Sequence, residues 1–109
     1  MLDFLTQAKI PFFGGGRDLQ QAHAPLLFHR QGLTIAVLGY NEFFPRRFEA
    51  NHDRAGVAWS EDDQVRHDIV MARTRERADV VIPFMHWGVE YQPRALARQR
   101  QLEIGRAHV

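Results

Sequence analysis

The stretch Ala78-Asp79-Val80-Val81-Ile82-Pro83-Phe84-Met85-His86-Trp87-Gly88 decides how the rest of the chain is read. Val80 to Met85 is apolar at every position. It is too short for a core helix and rich in β-branched and aromatic residues, so it reads as a strand. It stops at His86, Trp87 and Gly88, where glycine lets the chain turn sharply away. Just upstream, Ser60 opens a helix running to about Ala78. Ser60 is its cap, and Glu61, Asp62 and Asp63 suit its positive N-terminal end. Val65, Ile69 and Ala72 share one face, while Arg73, Arg75 and Arg77 suit the C-terminal turns. Further back, Leu33 to Tyr40 is apolar almost throughout, as expected of a strand covered on both faces. Leu26 to Arg30 is a second strand-like run, and Gln31-Gly32 is the turn between the two.

The flanks add shorter elements. Leu2 to Lys9 has helical spacing over about two turns and reads as the end of a longer helix. Ile10 to Phe13 reads as a brief strand, closed by the Gly14-Gly15-Gly16 loop. Asp18 caps a short helix through Ala24 that Pro25 stops. Asn41 to Trp59 is a long irregular connection of the kind that tends to be functional or mobile. After Pro93, Ala95 to Leu102 is a polar-faced helix. Strand, loop, helix, strand, helix gives an α/β domain with a layered sheet. Chemistry in such folds sits past the C-terminal ends of strands. Here that means Val37 to Glu42 and Phe84 to Gly88.

The 109 residues suffice for one small domain, and 45% hydrophobic with 25% charged residues excludes a disordered chain. Fourteen basic against thirteen acidic residues give a net charge of +1, which argues against a dedicated nucleic-acid or anionic-membrane binder. Without cysteine there are no disulfides or thiolate metal sites. No apolar run approaches the roughly 20 residues of a membrane helix. Met1-Leu2-Asp3-Phe4 also lacks the pattern of a secretion signal. The chain is therefore expected to be cytosolic or an internal piece of something longer.

Among candidate functional residues His86 stands first. A neutral imidazole at a rigid strand end is a ligand for Zn, Fe or Mn, or a general base. Equally, it is a histidine packed against Trp87 with both nitrogens satisfied. Glu90 and Tyr91 sit just beyond, placed to orient His86 or contact substrate, or to line a solvated loop. Asn41 and Glu42 are substrate-binding candidates or loop caps. Arg46 and Arg47 are either a bidentate anion holder or solvated. Gly14 to Asp18 fails the dinucleotide pattern at Leu19 and is no Walker loop, leaving a turn that needs flexible backbone. His23, His29, His52 and His67 lack metal-ligand spacing and are expected at the surface. No acyl-transfer nucleophile is visible.

Ile10-Pro11-Phe12-Phe13-Gly14-Gly15-Gly16-Arg17-Asp18-Leu19, the Val37-Leu38-Gly39-Tyr40 strand, and Ala78 to Ile82 leading into His86-Trp87-Gly88-Val89-Glu90-Tyr91 closely resemble the bacterial CapA family. These are poly-γ-glutamate capsule-synthesis proteins, similar in fold to calcineurin-like metallophosphoesterases. The match runs in order from about Leu2 to Leu102, and the His-Trp-Gly-x-Glu-Tyr string is its most specific part. The resemblance implies a four-layer α/β sandwich with a divalent-metal pocket at the strand ends. It makes His86 a metal ligand and Glu90 a pocket residue with a catalytic role. It also implies Mn, Fe or Zn in the complete protein, an envelope polymer or phosphoester as substrate, and often a membrane anchor outside the cytoplasm.

The sequence departs from the family's pattern at both ends. The Gly-Asp and Asn-His segments belong upstream of the position matching Met1. The closing Gly-His-x-Pro-His segment is replaced by Glu103-Ile104-Gly105-Arg106-Ala107-His108-Val109, which reads as translated adapter sequence. The expectation is thus a central fragment: residues 1–102 as a partial metallophosphoesterase-like domain and 103–109 as a non-native tail. One ligand where a site needs three or four implies a chain that holds no metal and is inactive alone. The competing class is a non-catalytic binding or structural domain that keeps the fold without the metal. Nucleic acid is not an expected partner, and no membrane contact is expected from this segment.

Overall fold

The computed structural model describes residues 1–43, 46–88 and 91–106. Its centre is the pair anticipated from the apolar runs. Strand β3 (Leu33–Asn41) lies parallel to β5 (Val80–His86), in a register that sets Ile35 beside Val80 and Asn41 beside His86. Strand β2 (Leu26–Arg30) pairs antiparallel on the other side of β3, giving the order β2-β3-β5. Both turn residues between β2 and β3 have positive φ, Gln31 at 52° and Gly32 at 79°. That backbone matches the twist of a two-residue hairpin. Pro83 within β5 has no N–H to give, which suits a strand at the sheet edge.

Helix α3 (Asp62–Thr74) crosses from β3 to β5, and Val65, Ile69 and Ala72 are buried on its inner face. They pack with Leu38 and Tyr40 of β3, and with Val81 and Met85 of β5 at the margin. Ala22, at the end of the short helix α2 (Leu19–Ala22), joins this core. As expected, Asp18 caps α2 by accepting from the Gln21 N–H at 2.9 Å. Helix α1 spans Leu2–Gln7 and α4 spans Ala97–Arg106, continuing past position 102 and burying Leu102. No helix among the described residues is long and apolar enough to cross a membrane.

Several local expectations need correction. Ile10 to Phe13 is not a strand; the pairing falls instead on β1 (Gly15–Gly16) against β4 (Gly56–Val57). The reason is steric. Gly14 crosses Gly39 so closely that a Cβ on Gly39 would lie 2.8 Å from the Phe13 ring and 3.0 Å from the Gly14 Cα. Phe13 is thereby committed to the strand surface, edge-on to Phe84 at 6.3 Å. Ser60 does not cap α3: Glu61 occupies that position without a side-chain bond, and the Ser60 hydroxyl donates to Glu42. The helix also ends at Thr74 rather than Ala78. Arg77 turns left-handed at φ 54°, and Asp79 then anchors β5 by accepting from the Thr34 N–H at 2.8 Å.

The expectation that Leu33 to Tyr40 is covered on both faces holds in part: Leu33 is exposed, Thr34, Ile35 and Val37 are half-buried, and Ala36, Leu38, Gly39 and Tyr40 are buried. α3 covers one face of the sheet, and the other carries exposed Val80, Ile82, Phe84, Leu33 and Phe28, with Phe84 63% exposed. The α/β class stands. A four-layer sandwich requires a further layer on that outer face; the described residues put the Phe13–Gly14 segment against it at Gly39 and Phe84 and leave Val80 and Ile82 exposed.

Candidate functional site

Period-two alternation along β3 sorts the candidate residues onto opposite faces. Asn41 follows Gly39 and Val37 on the outer face, level with His86 at the end of β5. There the Asn41 side chain accepts from His86 Nδ1 at 3.1 Å through Oδ1. The Asn41 Nδ2 donates to the Phe43 carbonyl at 3.0 Å, which fixes the orientation of the amide. Because Oδ1 can only accept, Nδ1 carries the proton, and in the neutral ring Nε2 keeps its lone pair. The ring lies against Phe43, centroids 4.2 Å apart and tilted by 33°, rather than sealed behind Trp87. The strand ends are themselves pinned, with Glu42 N–H donating to the His86 carbonyl and Asn41 N–H to the Ala58 carbonyl, both at 2.9 Å. His86 is exposed. This geometry presents one nitrogen donor outward from a rigid backbone.

Glu42 points the other way, onto the inner face. Its carboxylate accepts from Ser60 and from Arg98 Nη2 at 2.7 Å. Arg98 also reaches Asp62 at 2.5 Å and the Ser60 carbonyl at 2.7 Å. Burial pulls the guanidinium pKa down, but Glu42 and Asp62 outweigh that and hold it above its ordinary value. Glu42 and Arg98 border a cavity of about 860 Å³ at the start of α3. The structure therefore brings Asn41 to His86 and separates Glu42 from it. Tyr91 is 98% exposed, at φ 62°. Glu90 lies outside the described residues, as do residues 107–109 of the tail.

The two arginines also separate. Arg46 grips Glu49 at 2.9 Å and Glu61 at 2.6 Å and lies over Trp59, so its anions come from its own chain. Arg47 lies over the Phe48 ring. His29, His52 and His67 are exposed, as expected.

His23 is not at the surface. Its side chain is 7% exposed, and Nδ1 meets the equally buried Asp68 at 2.7 Å. Tyr40 donates its hydroxyl to the same carboxylate oxygen at 2.7 Å, and Gln64 Nε2 donates to the other at 2.8 Å. Burial first, then the Asp68 charge and this hydrogen bond, push the Tyr40 hydroxyl pKa well above its ordinary value. The signal was in the sequence. Asp68 falls among Val65, Ile69 and Ala72 on the apolar face of α3, and a carboxylate buried there requires donors.

The sequence profile of the bacterial capsule synthesis protein family PGA_cap matches residues 1–104. The chain belongs to that family. It is 31% identical over 98 residues to the PGA biosynthesis protein CapA of Bacillus subtilis (strain 168), which covers 89% of this chain and 25% of that protein. The chain thus spans about a quarter of the length of the curated relative it matches.

Whether this PGA_cap segment fits the divalent metal implied by the resemblance is a question of donors. His86 Nε2 fits one ligand position. Among the described residues no group of three or more His, Cys, Asp or Glu side chains could hold a metal ion. A stable site needs three or four ligands. The described residues therefore do not make up the set.

Proposed function

We propose that this PGA_cap segment is part of a protein that builds capsule or poly-γ-glutamate, and that His86 is one of several ligands in a metal-dependent phosphoesterase-like pocket. The observation that carries the reading is the Asn41–His86 hydrogen bond, which in the neutral ring puts the lone pair on Nε2 at the exposed end of β5. Such an outer partner fixes both tautomer and ring orientation in metal-binding histidines. A divalent cation, Mn, Fe or Zn, would be held by His86 together with ligands beyond the described residues, and would supply Lewis-acid polarisation of a phosphoryl oxygen. The chain's own residues do the holding. Asn41 keeps the proton on Nδ1, Phe43 shields one face of the ring, and the paired strand ends fix the backbone. Tyr91, fully open, is available to an envelope polymer or phosphoester substrate. Glu90 is proposed as a pocket residue on the family motif alone.

The test begins with the source DNA. Flanks that encode Gly-Asp, Asn-His and Gly-His-x-Pro-His segments support the hydrolase reading. Intact flanks without them favour a non-catalytic binding or structural domain. The flank-bearing protein should then hydrolyse bis(p-nitrophenyl) phosphate with added manganese, and His86→Ala should lower turnover by at least about 100-fold. Equal turnover by the variant refutes the role of His86.

A further inference from the structure

Three consecutive residues at the end of β3 hold His86, each by a different part. Asn41 accepts from Nδ1 at 3.1 Å, the Glu42 N–H donates to the His86 carbonyl at 2.9 Å, and the Phe43 ring lies against the imidazole with centroids 4.2 Å apart. The Asn41 amide is itself turned by its 3.0 Å bond to the Phe43 carbonyl, which spans residue 42. The three holds therefore share one arch, and the backbone of Glu42 is its middle.

What fixes that middle residue lies on the opposite face. The Glu42 side chain is 16% exposed, and a carboxylate that deep requires donors. The Ser60 hydroxyl is one and Arg98 Nη2, at 2.7 Å, is the other. The same Nη2 donates to the Ser60 carbonyl at 2.7 Å, while Nη1 meets Asp62 at 2.5 Å. A planar guanidinium committed at both ends is a rigid fork. It ties Glu42 to the backbone of the residue that supplies its second donor. The fork is placed by its helix. Arg98 is the second residue of α4, and Leu102, one turn on along the same face, is buried.

We propose that Arg98 is a positioning residue for His86. From α4 it clamps the Glu42 carboxylate on the inner face, and so holds the Asn41-Glu42-Phe43 arch that orients the imidazole on the outer face. The role rests on the reading of His86 as a ligand, because a ligand nitrogen has to be aimed. Without Arg98 the Glu42 carboxylate keeps one hydroxyl donor and turns toward water. The backbone of residue 42 turns with it, and the Asn41 amide loses its orientation. The neutral ring then reverts to the Nε2–H form that free histidine favours in water.

The test reads the tautomer of neutral His86 by long-range 1H–15N correlation. The flank-bearing protein is labelled with 15N-histidine and kept metal-free with EDTA, and the His86 signal is the one absent from His86→Gln. Wild type should carry the proton on Nδ1. Arg98→Met keeps the apolar stem and removes the fork; it should lower the ratio of Nδ1–H to Nε2–H at least about threefold. Ser60→Ala is a smaller change that removes the other donor and should lower the ratio in the same direction. Ile69→Val weakens the core without touching the arch and should leave the ratio unchanged, which separates positioning from general destabilisation. An unchanged ratio in Arg98→Met and Ser60→Ala, or an equal fall in Ile69→Val, overturns the inference and leaves the ligand role of His86 standing. A flank-bearing protein that binds no metal refutes the ligand role and leaves the clamp standing, since the tautomer is read without metal. A wild-type proton on Nε2 refutes the Asn41 bond, and the clamp with it.

Discussion

Replacing Tyr40 by Phe removes one oxygen and almost nothing else. Tyr40 is 4% exposed, and its hydroxyl donates to Asp68 Oδ2 at 2.7 Å. The ring stays packed in the cluster with Leu38, Val65 and Ile69. A hydrogen bond to a charged group contributes about 1.5–3 kcal/mol net. Asp68 keeps two donors in the variant, so the expected loss is at the middle of that range, about 2 kcal/mol. In a domain of this size each kcal/mol moves Tm by roughly 4–8 °C, giving a fall of about 8–16 °C. Urea unfolding at low micromolar concentration and neutral pH, for wild type, Tyr40→Phe, Asp68→Asn and the double variant, reads the same quantity. The cycle should show coupling of at least about 1 kcal/mol. The pH dependence has a definite sign. Tyr40 holds its proton in the folded state well beyond the ordinary value of 10.0, while the unfolded chain releases it there. Its contribution is complete below pH 10 and is lost as pH rises above it, at up to about 1.4 kcal/mol per pH unit. Tyr40→Phe should lack that part of the alkaline slope. A loss below about 0.5 kcal/mol with additive single effects would mean that the Tyr40–Asp68–His23 network does not hold these elements together.

Three other outcomes follow from the packing. Gly16→Ala puts a Cβ 2.5 Å from the Ala22 backbone nitrogen and should cost about 1–3 kcal/mol in urea unfolding; a neutral result contradicts the close approach of β1 to α2. The exposed apolar face of Val80, Ile82 and Phe84, beside the open edge of β5, should make the 109-residue chain self-associate, and Ile82→Lys with Phe84→Lys should reduce this in sedimentation velocity. A wild-type chain that sediments as a monomer at every loading concentration up to about 100 micromolar would count against it. The same chain should show no turnover of bis(p-nitrophenyl) phosphate with manganese above the His86→Ala background, and activity lost with that substitution would contradict this.

The fold was legible where one period dominated. Continuous apolar runs placed β3 and β5 almost to the residue, and the spacing of Val65, Ile69 and Ala72 gave the buried face of α3. Gln31-Gly32 predicted its hairpin because glycine tolerates the positive φ that its second turn position adopts. What was not legible depended on distant neighbours. Apolar content alone cannot tell a strand covered on both faces from one covered on one, so the open face of β5 went unforeseen. Ile10 to Phe13 failed as a strand because of a glycine–glycine crossing 25 positions apart in sequence, Gly14 against Gly39. Ser60 had the right chemistry for a cap, but the Glu42 carboxylate competed for its hydroxyl. At the candidate site, strand parity alone would have separated Asn41 from Glu42. Pairing Asn41 with His86 also required the register of β3 on β5. His23 was misjudged because metal-ligand spacing was the criterion, whereas Asp68 on an apolar helix face was the signal.

The most direct test of the metal-ligand role is the metal content of the flank-bearing protein, purified without chelator and measured by plasma mass spectrometry, wild type against His86→Ala. A ligand held at the end of β5 by Asn41 predicts that the variant loses at least one metal equivalent per chain. Unchanged stoichiometry would contradict it.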